Sequence, residues 1–369
     1  MHLSWIKKNL NANTKQFKAG DIYYTQAKNV ASTLENLKAR GVDKAIDIIS
    51  INSAFKAFTF GDKQTILIVR SGGIGDLLAL SSLRYVLKNN MHFITLEQFI
   101  PVFDWWESPP EKIMHVTKPL YSNVNFSELI RMQYSIRRFV SEGLIENGSG
   151  KNWYEIFFNS IGAGFTGSYC RPKLSKVRIC KDPSNIDTTK QSILICPKAT
   201  AAMRSMAFEP VYKAINDIIG KTDVNLYCHG VNLTELDKAF ISVANDPRIK
   251  IINASGVDQF LLDVFDSDMV ISVDSAAIHF REGVERPAIG IYSSFTTSSR
   301  TKHYRFAHSF DIESKCRFQP CFLHERERGE VCKEAEPGSK VAPCLSEGYN
   351  PGLFNQLVEN MNDYLIQNL

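Results

Sequence analysis

The sequence predicts an α/β fold built as two parallel-sheet domains. Between residues 193 and 292, short apolar runs alternate with helical stretches of about ten residues, the pattern of βαβ units around a parallel sheet. Far upstream, Ile66–Val69 is a buried-strand run followed by a glycine turn and a leucine-rich amphipathic stretch. A chain of 369 residues exceeds one ordinary core and suits two such domains.

The upstream unit organises the chain. After the strand, Gly72, Gly73 and Gly75 free the backbone to turn and to approach a ligand. Asp76 stands where a helix N-cap is expected, with Leu77, Leu80, Leu83 and Leu87 at helical spacing behind it. Strand, glycine turn and helix N-terminus make an anion-binding βα unit, yet here a carboxylate stands at the mouth. A capping aspartate is the plainer reading of Asp76 alone. The glycines match neither the dinucleotide fingerprint nor the Walker loop.

Residues 1–60 read as a helical, polar extension, with short helices over 31–40 and 42–49. Residues 61–190 form the first domain, with strands at 92–96 and 113–116 and helices after Ser127 and from Trp153. Its last part, 162–191, is rich in Gly, Ser, Lys, Pro and Asp and reads as the interdomain linker. Residues 191–350 form the second domain, with five strands beginning at 193, 224, 249, 269 and 288. Residues 351–369 are a terminal amphipathic helix that packs back on the domains.

Composition is that of an ordinary globular protein, 44% hydrophobic and 22% charged. The net charge of +4 suits phosphates, nucleic acid or peripheral contact with an anionic membrane, and selects none of them. No apolar run reaches bilayer length, and the N-terminus lacks the order of a signal peptide, so the expected compartment is cytoplasmic.

In open parallel sheets, ligands bind beyond the carboxyl ends of the strands. Three features collect there in the second domain: Lys198 with Arg204 after the first strand, His229-Gly230 after the second, and Asp274-Ser275 with His279 after the fourth. Cations beside a helix N-terminus suit a diphosphate. Each feature alone reads as a capped helix or a solvated basic residue; together they describe an anion site.

At these residues the chain resembles a family. Arg70-Ser71-Gly72-Gly73-Ile74-Gly75-Asp76, the stretch Val270-Ile271-Ser272-Val273-Asp274-Ser275 with His279, and Arg286-Pro287-Ala288-Ile289-Gly290-Ile291-Tyr292 resemble the ADP-heptose:lipopolysaccharide heptosyltransferases, glycosyltransferase family 9. The resemblance covers about residues 65–350. It implies a GT-B fold, two Rossmann-like doubly wound domains facing a cleft, and a nucleotide-diphosphate sugar donor on the second domain. It implies inverting transfer with Asp76 as general base, Gly72, Gly73, Lys198, Arg204, Asp274, Ser275 and His279 at the donor, and no cofactor for catalysis. The chain departs from the family at Gly72-Gly73, where Ser-Ser is usual, and at Ala276-Ala277, where Gly-Pro is usual.

Three readings of function follow. The first is transfer to a bacterial surface glycan of lipopolysaccharide-core type. The second is a phage-type enzyme that glycosylates a hydroxymethylated DNA base. The third is a non-catalytic nucleotide-binding protein on the same fold. Candidate acceptor contacts are Trp105, Trp106, Arg137 and Arg138; packing under a loop and a solvated helix face are the plainer readings of these pairs. Of eight cysteines, Cys316, Cys321, Cys332 and Cys344 share one polar segment and suit a structural zinc site, with free thiols or a disulfide as alternatives.

Overall fold

The computed structural model describes residues 2–6, 10–12, 15–17, 22–25, 46–50, 66–70, 73–88, 91–116, 151–164, 166–180, 182–321, 332, 334–335 and 339–369. The chain opens with β1 (His2–Ile6), β2 (Leu10–Ala12), β3 (Lys15–Phe17), β4 (Ile22–Thr25) and β5 (Ile46–Ser50). β1 is central in an antiparallel sheet between β4 and β5, and β2 pairs with β3. The helical reading of 1–60 is corrected here. β5 overlaps the helix expected over 42–49, because Ile46, Ile48 and Ile49 are β-branched and favour an extended, paired backbone. The helix expected over 31–40 lies outside the described residues.

The first domain follows with β6 (Ile66–Val69), α1 (Ile74–Leu80), β7 (Met91–Leu96), β8 (Lys112–Val116) and α2 (Trp153–Ser160). The three strands are parallel in the order β6-β7-β8. Gly73, at φ +59°, caps α1, so Asp76 sits in the first turn and its side chain makes no capping bond. Leu77, Leu78, Leu80 and Leu83 are fully buried on the inner face. Asn152 caps α2, its side chain accepting the Tyr154 N–H at 3.0 Å. The helix expected after Ser127 lies outside the described residues.

The second domain runs β9 (Ser192–Cys196), α3 (Phe208–Ile219), β10 (Asn225–His229), α4 (Glu235–Ala244), β11 (Ile249–Ile252), α5 (Val257–Asp266), β12 (Met269–Val273), α6 (Ala276–Gly283), β13 (Ala288–Tyr292), α7 (Thr297–Arg300), β14 (Ala307–Asp311) and α8 (Leu353–Asn368). Its six strands are parallel in the order β11-β10-β9-β12-β13-β14. The order reverses between β9 and β12, so the crevice of this doubly wound sheet opens beyond Cys196 and Val273. Five of the six strands coincide with those expected from sequence; β14 does not.

One continuous core joins the two domains. Trp105 packs edge-on against Phe280 at 4.8 Å and against Phe265 at 5.3 Å, while Trp106 packs on Phe93 and Phe103. Their exposures, 0% and 2%, remove both from any acceptor groove: the rings are too large and apolar to be left in water here, and they seal the domain contact. The expected linker is likewise packed rather than loose, since Cys170, Leu174 and Ile186 are buried and Leu174 bridges to Trp106. On the far face of the second sheet, Leu353, Leu357, Met361 and Leu365 of α8 repeat every fourth residue and join α3 in a second core. No helix among the described residues is long and apolar enough to cross a membrane.

A buried carboxylate holds the last strand in place. Oε2 of Glu282 on α6 accepts the N–H groups of Arg305 (3.0 Å), Phe306 (2.8 Å) and Ala307 (3.1 Å), three consecutive donors at the start of β14. With Glu282 fully buried, its removal leaves donors unsatisfied away from water. Glu282→Ala is expected to destabilise the protein by about 3 kcal/mol or more, read from urea unfolding. A loss below about 0.5 kcal/mol would show that the segment does not depend on this carboxylate.

Candidate active site

A cavity of about 850 Å³ lies between the domains, at the switch point of the second sheet. The first domain lines it with Arg70, Gly73, Asp76 and Trp153; the second with Lys198, Arg204, Asp274, Ser275, His279 and Arg300. The N-terminal turns of α1 and α6 meet here. A Cβ at Gly75 would stand 2.9 Å from His279 Cδ2 and 3.5 Å from the Ala276 Cα, so only glycine allows this approach without displacement. A Cβ at Gly73 would overlap the Asp76 carboxylate, and its positive φ favours glycine again. The glycine turn thus seats the carboxylate against the second domain.

Three cations of the cleft each face an aspartate. Arg70 Nη2 donates to Asp76 Oδ2 at 2.7 Å, with side-chain exposures of 7% and 16%. Lys198 Nζ lies 2.7 Å from Asp237 Oδ2, deep in the domain, where Asp237 also accepts from Thr234 and the Phe208 N–H. Arg204 Nη1 is 3.7 Å from Asp274 Oδ2, a long pair at the cleft wall. Burial alone would push the Asp76 carboxyl up; the Arg70 charge and hydrogen bond, with Arg300 and His279 adding, bring it below the ordinary value. Asp76 is therefore ionised at neutral pH.

His279 is the counterpart on α6. Burial pushes its pKa down to about 4; Asp274 opposes this and Arg300 adds to it, so the ring is neutral at pH 7. Its Nδ1 shares a hydrogen bond of 2.8 Å with the Tyr304 hydroxyl, which in turn shares one of 2.7 Å with Tyr154. Trp153 packs on the imidazole at 4.5 Å. Ser275 caps α6, its Oγ accepting the Ala277 N–H at 3.2 Å and meeting Ser272 Oγ at 2.7 Å.

Two solved structures share this architecture. An E. coli ADP-heptose lps heptosyltransferase II aligns at TM-score 0.53 and 11% identity, over 82% of this chain and 99% of that one. A family 9 glycosyl transferase from Veillonella parvula DSM 2008 aligns at TM-score 0.53 and 11% identity, over 83% and 98%. The fold is that of the family 9 glycosyltransferases. No family model and no curated protein matches the sequence.

In this GT-B frame, the structure brings Gly73, Asp76, Lys198, Arg204, Asp274, Ser275 and His279 to one cleft. Gly72, Arg137 and Arg138 lie outside the described residues, and Trp105 and Trp106 belong to the core. Cys316, Cys321, Cys332 and Cys344 all border a second, small cavity of about 10 Å³. Among the described residues no group of three His, Cys, Asp or Glu is arranged to hold a metal ion. Sequence reasoning missed several members of the cleft, among them three beside its charges. Arg70 lay inside the quoted motif without a role. Trp153 was read only as the start of a helix. Arg300, on a four-residue helix in a Ser/Thr-rich stretch, carried no signal at all.

The depressed His279 pKa predicts an imidazole that stays neutral from pH 8 down to about 5, readable from its ring nitrogen shifts by NMR. The unfolded ring titrates near 6.5, so the stability from keeping it neutral is complete above that pH and is lost as pH falls toward 4. A native-state midpoint near 6.5 would refute the buried, neutral ring.

Proposed function

We propose that this protein is an inverting glycosyltransferase that moves a sugar from a nucleotide-diphosphate donor to an acceptor hydroxyl. Asp76 takes the hydroxyl proton, the acceptor oxygen attacks the anomeric carbon opposite the phosphate, and the carbon–oxygen bond to the diphosphate breaks with its electron pair on the leaving group. The diphosphate lies at the N-terminus of α6, where the helix amides and Arg204, with Lys198 behind, stabilise its charge without drawing on a metal. The observation that carries this reading is one ionised carboxylate on the first domain facing a cationic helix N-terminus on the second, across a single cleft. Arg70 occupies Oδ2 of Asp76, and among the described residues no hydrogen bond takes Oδ1, which is left for the acceptor.

The acceptor favoured is a bacterial surface glycan of lipopolysaccharide-core type. The motif resemblance and the shared fold support it. Nothing described favours hydroxymethylated DNA, and the tryptophan pair expected at the acceptor, of either kind, is core.

Asp76→Asn is expected to lower kcat by about 100- to 10,000-fold while nucleoside-diphosphate affinity by calorimetry stays near wild type. Wild-type turnover in that variant would sink the assignment. Arg70→Met removes the strongest opposition to burial at Asp76, leaving only Arg300 and His279, so the acid limb of kcat/KM should move up from its place below pH 3.8. An unmoved limb would mean that Asp76 is not the titrating base.

We also propose that Cys316, Cys321, Cys332 and Cys344 hold a structural zinc, on the ground that all four border one cavity. The thiols must close inward to do so. Without metal, burial and the neighbouring thiols push Cys344 up to about 12, so ligation has to displace protons. Elemental analysis should find about one zinc per chain; markedly less removes the site.

A further inference from the structure

Arg300 sets this cleft apart from a generic phosphate site. Arg70, Lys198 and Arg204 each face an aspartate, at 2.7, 2.7 and 3.7 Å respectively. Among the described residues, Arg300 is the one cleft cation with neither a carboxylate at ion-pair distance nor a hydrogen-bond acceptor for its guanidinium. Yet the residue is only 7% exposed. Its guanidinium carbon lies 3.9 Å from the centre of the Phe295 ring and 4.6 Å from that of Trp153. Trp153 belongs to the first domain and also packs on His279. The Asn152 side chain donates to the Ser298 carbonyl at 3.0 Å, which ties the start of α2 to the helix bearing Arg300.

Aromatic faces satisfy a guanidinium only along its flat sides. The in-plane N–H groups are not sealed off but reach the cleft, where they are available to acceptors on a ligand. Three cations matched to three aspartates leave one positive charge surplus in the cleft. That surplus sits between the base-bearing domain and the donor loop, and its planar fork fits two oxygens of one acid group.

We propose that Arg300 binds a ligand oxyanion in the cleft, through its in-plane N–H groups, with Trp153 and Phe295 holding its orientation. This deepens the reading of the cleft as a nucleotide-sugar site, because it assigns the surplus cation to the reacting molecules rather than to the fold. The oxyanion belongs either to the donor diphosphate or to an acid group on the acceptor sugar. The shared chemistry is two oxygens presented to one fork.

The test is calorimetric titration of the full chain and of Arg300→Met with ADP, GDP, UDP, CDP, inorganic pyrophosphate and glucuronate. Methionine keeps a long apolar stem between the two rings, so thermal unfolding should stay near wild type while anion affinity falls. Loss of about 10- to 100-fold for the diphosphates identifies the donor as the source; the same loss for glucuronate alone identifies an acidic acceptor. Arg300→Lys keeps the charge without the fork and should recover only part of the loss. Wild-type protein that binds none of the probes overturns both this inference and the reading of the cleft. Tight wild-type binding with unchanged affinities in Arg300→Met overturns the inference alone. Should the methionine variant unfold, the lysine variant decides: a folded Arg300→Lys with wild-type affinity for every probe also overturns it.

Discussion

The contact on which the active cleft depends is the approach of α1 to α6 at Gly75 and His279. Two helix N-termini from different domains repel one another electrostatically and rarely meet so closely. Here the shared core draws the domains together: Trp105 of the first domain is locked against Phe265 and Phe280 of the second. Glycine at 75 removes the one side chain that would hold them apart. The adjacent residue, Asp76, is carried into the mouth of the second domain's crevice. A negative charge between two positive helix ends then offsets the repulsion that packing imposes. The same carboxylate that suits a base therefore also suits the join.

Electrostatics in the cleft follow from burial working in opposite directions on two groups. Burial raises the carboxyl pKa of Asp76, but adjacent Arg70 more than reverses this. Burial lowers the imidazole pKa of His279 by more than Asp274 and Asp76 restore, with Arg300 and Arg204 adding to the fall. The result is a charged aspartate facing a neutral histidine at pH 7. In the proposed reaction, an ionised Asp76 would be a ready though intrinsically weak base, suited to a proton transfer that comes late, as the sugar–phosphate bond breaks. A neutral His279, tied to Tyr304 and Tyr154, offers a hydrogen bond without competing for the positive charge that a diphosphate requires.

Legibility in the sequence tracked how far each signal was local. Strands β9, β12 and β13 are buried along their whole length and show as unbroken apolar runs, so periodicity found them. β14 alternates buried Ala307 and Phe310 with exposed His308 and Asp311, and it follows a basic stretch that reads as loop. It is defined by its pairing with β13 and by the Glu282 carboxylate, neither of which leaves a local trace. Asp76 lines the cleft, but not as the N-cap that its position suggested. Gly73 does the capping, and the carboxylate is seated by a turn whose positive φ cannot be read from residue types alone. The cleft cations were half legible: Lys198 and Arg204 follow a strand, but only the fold shows that Lys198 is spent on Asp237. Arg300 needed two aromatic residues from distant parts of the chain to become visible.

The departures from the family motif acquire a physical sense in this setting. Where the resembled motif has Gly-Pro, Ala276 and Ala277 open α6. Proline at the second helical position would leave one fewer N–H to satisfy. With alanine there, the N–H is present, and the Ser275 hydroxyl accepts it. Ala277 is fully buried in the interdomain core, so its methyl contributes to the same contact that Gly75 permits. Ala276 lines the cleft at the first turn, and its Cα lies 3.5 Å from where a Cβ at Gly75 would stand, although the His279 ring, at 2.9 Å, is what demands glycine there. The substitutions thus keep the helix N-terminus open to an anion while changing the shape of its approach.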